Sequence, residues 1–109
     1  MTTRKATLGE LETLMLLAVL RLKEGASVRR IRTEVADRGG RELSRGATYA
    51  TLSRLERKGF LSVRSEEPDS GGRAEHRFLV SEAGLETLRI SQQYLTQMRA
   101  GLESILDVS

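Results

Sequence analysis

The stretch Ser44-Arg45-Gly46-Ala47-Thr48-Tyr49-Ala50-Thr51-Leu52-Ser53-Arg54-Leu55-Glu56-Arg57-Lys58-Gly59-Phe60-Leu61 decides how this chain is read. Ser44 is a good helix N-cap and Gly59 a stop, which predicts a helix over roughly 44–58. On the helical wheel Thr48 and Leu55 fall beside Leu52, with Gly59 on the same side. Gly46, Ala47, Ala50, Arg54 and Arg57 point roughly the opposite way; Tyr49 and Ser53 lie on one flank, Thr51 and Lys58 on the other. A merely solvated helix has no need of an outward face of small residues backed by arginines. Such a face lets the helix backbone come close to something flat or grooved.

Upstream, Ser27 caps a second predicted helix, roughly 27–38, with a narrow apolar stripe of Val28, Ile31 and Val35, and Gly39-Gly40 stops it. Residues 8–23 predict the first helix. Leu8, Leu11, Met15, Ala18, Val19 and Leu22 recur at helical spacing, and Leu14, Leu16, Leu17 and Leu20 fill much of the remaining circumference. A helix apolar on nearly all sides is buried on more than one face, so it needs a partner beyond its own small domain. Downstream, Phe60, Leu61 and Val63 make a short strand, Glu66 to Gly72 a turn, and residues 73–80 a returning strand. Ser81 opens a last helix, roughly 81–106, about 39 Å long at 1.5 Å per residue. Along it Leu88, Ser91, Leu95, Met98, Leu102 and Ile105 alternate three- and four-residue spacings, a heptad seam with one polar interruption.

The fold class is therefore mainly α with a small β-hairpin. It reads as a winged helix-turn-helix over residues 1–80 followed by a long C-terminal dimerisation helix over 81–109. In a winged helix the third helix enters the DNA major groove and the hairpin lies along the backbone or an adjacent groove. Composition agrees. The 109 residues carry Lys+Arg 18 against Asp+Glu 15, and the excess is local. Residues 29–64 hold ten Arg or Lys against four Asp or Glu, whereas residues 81–109 hold two against four. A basic middle suits a polyanion and an acidic tail suits something else.

Other classes find little support. The absence of Cys excludes disulfides and thiolate zinc sites, and the single His76 excludes a His-pair metal site in one chain. Asp69, Ser70 and His76 sit across a turn without the orienting geometry of a triad. Gly71-Gly72 is a turn, since no phosphate-binding Lys-Ser/Thr follows. No catalytic residues, metal or cofactor are expected. The longest apolar run, Leu14 to Leu20, is far below the ~20 residues of a membrane span, so a cytoplasmic protein is expected.

These residues also resemble a known family. Leu8-Gly9-Glu10-Leu11-Glu12 is similar to the opening of the PadR-like transcriptional regulators. Tyr49 to Leu61 looks like their recognition-helix signature, and Gly72-Arg73 with Phe78, Val80, Ser81, Glu82, Ala83 and Gly84 resembles their second wing strand and the start of their last helix. The single last helix looks like the compact PadR subgroup. The resemblance implies a cytoplasmic homodimer on a palindromic operator, usually a repressor, with the last helix packed against the partner's first and last helices. Two departures are visible. Ala26-Ser27-Val28 stands where the family often has Gly-Tyr, and Glu75-His76-Arg77-Phe78 stands where it often has consecutive basic residues and two Tyr.

The candidate DNA-binding residues are Ser44, Arg45, Thr48, Tyr49, Ala50, Ser53, Arg54 and Arg57 on the third helix, with Arg73 and Arg77 on the wing. Arg45, Arg54 and Arg57 form the anion-facing side, since arginine can grip a phosphate or a guanine edge with two hydrogen bonds. Ser44 is equally a plain cap, Thr48 equally a half-buried residue, and Tyr49 equally a packing residue. Arg29, Arg30 and Arg32 read mainly as solvated. The candidate dimer residues are Leu11, Leu88, Leu95, Met98, Leu102 and Ile105, and Tyr94 and Met98 near the seam could line a small apolar effector cavity. The expected partners are thus double-stranded DNA, a second copy of the chain and a small apolar effector, with no membrane. The alternative is a winged-helix protein-interaction adaptor, which would not keep Arg45, Arg54 and Arg57 exposed among small residues.

Overall fold

The computed structural model of the chain describes residues 8–66 and 75–106; the expected turn residues Glu67 to Gly72, and Arg73, lie outside it. Each longer helix starts where a side chain satisfies an amide that the first turn leaves free. Helix α1 (Glu10–Leu22) follows Gly9, whose N–H donates to Glu12 Oε1 at 2.9 Å. In α2 (Val28–Gly39) the Ser27 hydroxyl accepts from the Arg30 N–H at 3.3 Å, and in α3 (Arg45–Arg57) Ser44 accepts from Ala47 at 3.0 Å. Ser81 caps α4 (Glu82–Arg99) by accepting from Gly84 at 3.0 Å while donating its own proton to the Gly59 carbonyl at 2.6 Å. These starts agree with the sequence reading to within a residue or two.

A single 3₁₀ turn, Lys23–Gly25, joins α1 to α2. Strands β1 (Leu61–Glu66) and β2 (Glu75–Val80) pair antiparallel, with Leu61 opposite Val80, Val63 opposite Phe78 and Glu66 opposite Glu75. Glu66 thus belongs to the strand rather than to the turn expected of it. The Phe78 N–H donates to the Ala26 carbonyl at 3.0 Å, which fastens the hairpin to the connection ahead of α2.

One core serves all of these elements. Met15, Leu16 and Val19 of α1 meet Ile31 and Val35 of α2, Leu52 and Leu55 of α3, Phe60, Leu61 and Phe78 around the hairpin, and Leu88 of α4. Each large side chain buried here contributes about 1.5–3 kcal/mol. Thr48 and Thr51 are buried as well, and their hydroxyls donate to the Ser44 and Ala47 carbonyls one turn back at 2.8 and 3.0 Å. The start of α4 lies directly on the α3–β1 connection. A Cβ at Gly84 would run into the Phe60 carbonyl oxygen, so only glycine fits without movement.

The C-terminal region differs from expectation in one respect. The last helix does not run unbroken to residue 106. Helix α4 ends at Arg99, and Gly101 takes a left-handed conformation (φ 86°) before a short α5 (Glu103–Leu106). The Gly101 N–H donates to the Glu103 carboxylate at 3.1 Å, which stabilises the break. An uninterrupted α4 of 18 residues is about 27 Å long. The heptad seam is continuous only from Leu88 to Met98, with Leu102 and Ile105 beyond the break.

Candidate nucleic-acid interface

Along α3 the buried positions are Thr48, Thr51, Leu52 and Leu55. Gly46, Ala50, Ser53 and Arg57 are exposed on the opposite side, with Tyr49 and Arg45 exposed on one flank and Arg54 on the other. Thr51, expected on a flank, is in the core, and Thr48 is fully buried with its hydroxyl in use. Thr48 therefore cannot reach a ligand from this position. Ser44 is placed as a cap, exposed at the helix start.

The flank bearing Arg45 and Tyr49 opens into a cleft of about 620 Å³ between α3, the start of α2 and β2. Arg29, Arg30 and Arg32 of α2 line it together with Arg45, as do Ser27, Glu75, His76 and Arg77. None of these four arginines of α2 and α3 has a carboxylate partner among the described residues. Arg32 donates through Nε to the Leu43 carbonyl at 2.7 Å, so its charge remains uncompensated. The α2 start contributes too, since backbone N–H groups at a helix N-terminus favour anions. Composition signalled the positive charge of Arg29, Arg30 and Arg32, but their convergence on Arg45 depends on how α2 packs against α3.

The wing is electrically different. Arg77 Nη2 lies 2.7 Å from Glu75, Arg77 Nε 3.7 Å from Glu66, and Arg64 Nη2 3.4 Å from Glu66. Two arginines and two glutamates thus neutralise one another along the described strands. Arg77 lines the cleft but is already engaged, and Arg73 lies outside the described residues. His76 Nδ1 and the Ser65 hydroxyl are 3.0 Å apart across the strands.

On the other flank, Arg54 Nε donates to Glu12 Oε2 at 3.2 Å and Lys58 Nζ donates to the same oxygen at 2.8 Å. Burial pushes the Glu12 carboxyl up, but the Lys58 ammonium, the Gly9 N–H and the Arg54 guanidinium outweigh it and hold the group below the usual range. In the sequence Glu12 stands out only as part of the family-like opening, because its partners lie far along the chain.

The candidate dimer residues divide. Leu88 is buried in its own chain's core and Leu11 packs against that core. Leu95, Met98, Leu102 and Ile105 are exposed, Met98 at 76% and Ile105 at 74%, as are Tyr94, Leu17 and Leu20. A groove of about 900 Å³ runs between Leu17 of α1 and the Glu86–Gln97 length of α4, and Tyr94 and Met98 are not among its lining residues. Among the described residues no acidic or histidine cluster could hold a metal, and no helix is long and apolar enough to cross a membrane.

Three helices, a two-stranded wing and a C-terminal helix define a winged helix-turn-helix. Solved structures with the same arrangement include a PadR family transcription regulator from Clostridium difficile, with TM-score 0.71 and 23% identity over 90% of this chain and 99% of that one. They also include a PadR-like transcriptional regulator from Bacillus cereus, with TM-score 0.71 and 18% identity over 91% and 93%. A third is F93 from STIV, a winged-helix DNA-binding protein, with TM-score 0.60 and 18% identity over 87% and 98%. The chain has the PadR-like winged-helix fold. No family model and no curated protein matches the sequence.

Proposed function

We propose that this chain is a sequence-specific DNA-binding transcriptional regulator that acts as a homodimer, represses from a palindromic operator, and is released by a small apolar molecule. The observation that carries the reading is the cleft in which Arg29, Arg30, Arg32 and Arg45 converge beside the exposed face of α3 without carboxylate partners among the described residues. Collecting four like charges costs energy that a polyanion repays. Small Gly46 and Ala50 let α3 approach the groove floor, Ser53, Arg54 and Arg57 offer donors to it, and Ser44 and Tyr49 border the phosphates, while Glu75 and Glu66 hold Arg77 back from them.

In this reading residues 1–80 bind DNA and residues 81–109 dimerise. Leu17, Leu20, Leu95, Met98 and Leu102 leave apolar surface on α1 and beyond that a second copy would cover. A two-fold axis there would set the two α3 helices about one DNA turn, ~34 Å, apart. The groove between Leu17 and α4 is the place for an effector, which must favour one spacing of the α3 helices over another to act at all. The self-neutralised wing favours the adaptor alternative; the unpaired arginines outweigh it.

The test is binding of the purified protein to DNA from its own upstream region beside a scrambled duplex, at two salt concentrations. The expected result is specific, salt-sensitive binding with two chains per site. Weak binding, equal on both duplexes, would move the assignment to the adaptor class or to a regulator whose operator lies elsewhere, and co-purification of the partner would separate the two.

A further inference from the structure

Glu12 is nine-tenths or more buried, and both of its carboxylate oxygens are engaged. Oε1 receives the Gly9 N–H, and Oε2 receives both Arg54 Nε and Lys58 Nζ. It is the only buried carboxylate in an ion pair among the described residues; the others, such as Glu10 opposite Arg41, are partly or largely exposed. Exposed pairs break and re-form at little cost, whereas a buried carboxylate with three donors does not easily let one go.

Arg54 is held at one atom. Its Nε is engaged, its side chain remains 46% exposed, and its Nη groups make no hydrogen bond among the described residues. It lies next to the outward face formed by Gly46, Ala50 and Arg57. With Nε taken, the two-donor edge left to it is the Nη1–Nη2 pair. We propose that Glu12 is a positioning residue for DNA reading, holding Arg54 by Nε so that its two Nη groups stand as a fork for the O6/N7 edge of one guanine in each half-site. The inference rests on the regulator reading above. Much of the side-chain freedom that a loose arginine loses on reaching a base is lost here already in folding, which favours binding. A guanine contact of this kind discriminates against other bases by about 5- to 150-fold.

The experiment enriches a random-sequence duplex pool with the wild-type protein, with Arg54→Lys and with Glu12→Gln, sequences the products, and records a thermal melt of each protein. Arg54→Lys keeps a cation beside Glu12 but has no fork. It should abolish a guanine preference at one position per half-site and leave the other positions intact. Glu12→Gln should relax the same position, by a smaller factor. Uniform weakening at every position, or unchanged preferences, would overturn the assignment. If Glu12→Gln does not fold, the proposal can still be overturned, because a guanine preference that survives Arg54→Lys removes the fork that Glu12 is proposed to hold. A wild-type protein that enriches no sequence at all would instead remove the regulator reading itself.

Discussion

Replacing Arg45 by alanine should flatten the salt dependence of DNA binding, whereas replacing Arg77 by alanine should barely change it. Both side chains line the same cleft. Arg45 has no carboxylate partner among the described residues, so its charge is available to a phosphate. Arg77 sits 2.7 Å from Glu75 and 3.7 Å from Glu66, and a phosphate would have to displace them. Each phosphate contact contributes about 0.9 to the slope of log affinity against log salt. Two copies of Arg45 in a dimer would therefore carry a slope of about 1.8, which at about 0.15 M salt corresponds to roughly 30-fold in affinity. Arg77→Ala should leave the slope within about half a unit of wild type. The assay is fluorescence anisotropy with a labelled duplex over a range of potassium chloride, on variants whose melting temperatures match wild type. Equal flattening by the two substitutions, or an Arg45→Ala loss of affinity at unchanged slope, would refute the argument.

Further consequences can be measured directly. Gly84→Ala places a methyl group against the Phe60 carbonyl and should destabilise the fold by about 1–3 kcal/mol in a denaturant titration, since backbone must move. The Glu12 carboxyl is held below its unfolded value, so its stabilisation is complete above the ordinary glutamate pKa of about 4.3 and is lost as pH falls through the lower folded value. Glu12→Gln should therefore melt below wild type at neutral pH, with the gap closing in acid; a gap that stays constant across that range would contradict the ion-pair account. Leu95→Asp puts a charge on the exposed seam and should give monomers by sedimentation, with loss of DNA affinity and little change in protomer melting.

What the sequence made legible follows from the range of the interactions involved. Ser27, Ser44 and Ser81 could be read as helix starts because each cap closes on an amide three residues away. The hairpin and the buried set of Ile31, Val35, Leu52 and Leu55 followed from spacing. The break at Gly101 was hidden because Met98, Leu102 and Ile105 continue the apolar rhythm across it, and a glycine within a helix costs only about 1 kcal/mol. Its local sign was Glu103, two residues on, which captures the Gly101 amide. At the candidate site, the cationic character of the middle segment was visible, but its division into free and engaged arginines was not. Arg77 meets Glu66 only through strand register, Arg54 meets Glu12 only through the packing of α1 on α3, and Arg29, Arg30 and Arg32 join Arg45 only when α2 is in place. Leu88 belongs to the heptad pattern and to the core alike, and the packing of α4 puts it in the core.

The bond from the Phe78 amide to the Ala26 carbonyl predicts an order of assembly, which amide exchange can test. The caps and turns of α1 to α3 close over short stretches of chain, whereas this bond joins segments far apart in sequence and needs both the α1–α2 connection and the hairpin in place first. Contacts of high sequence separation form late, because loop closure costs entropy before any contact repays it. The wing should thus be the last part to dock and the first to release. Amide exchange at Phe78 would then report undocking of the wing while the amides of Leu16 and Leu52 remain protected until the whole chain unfolds.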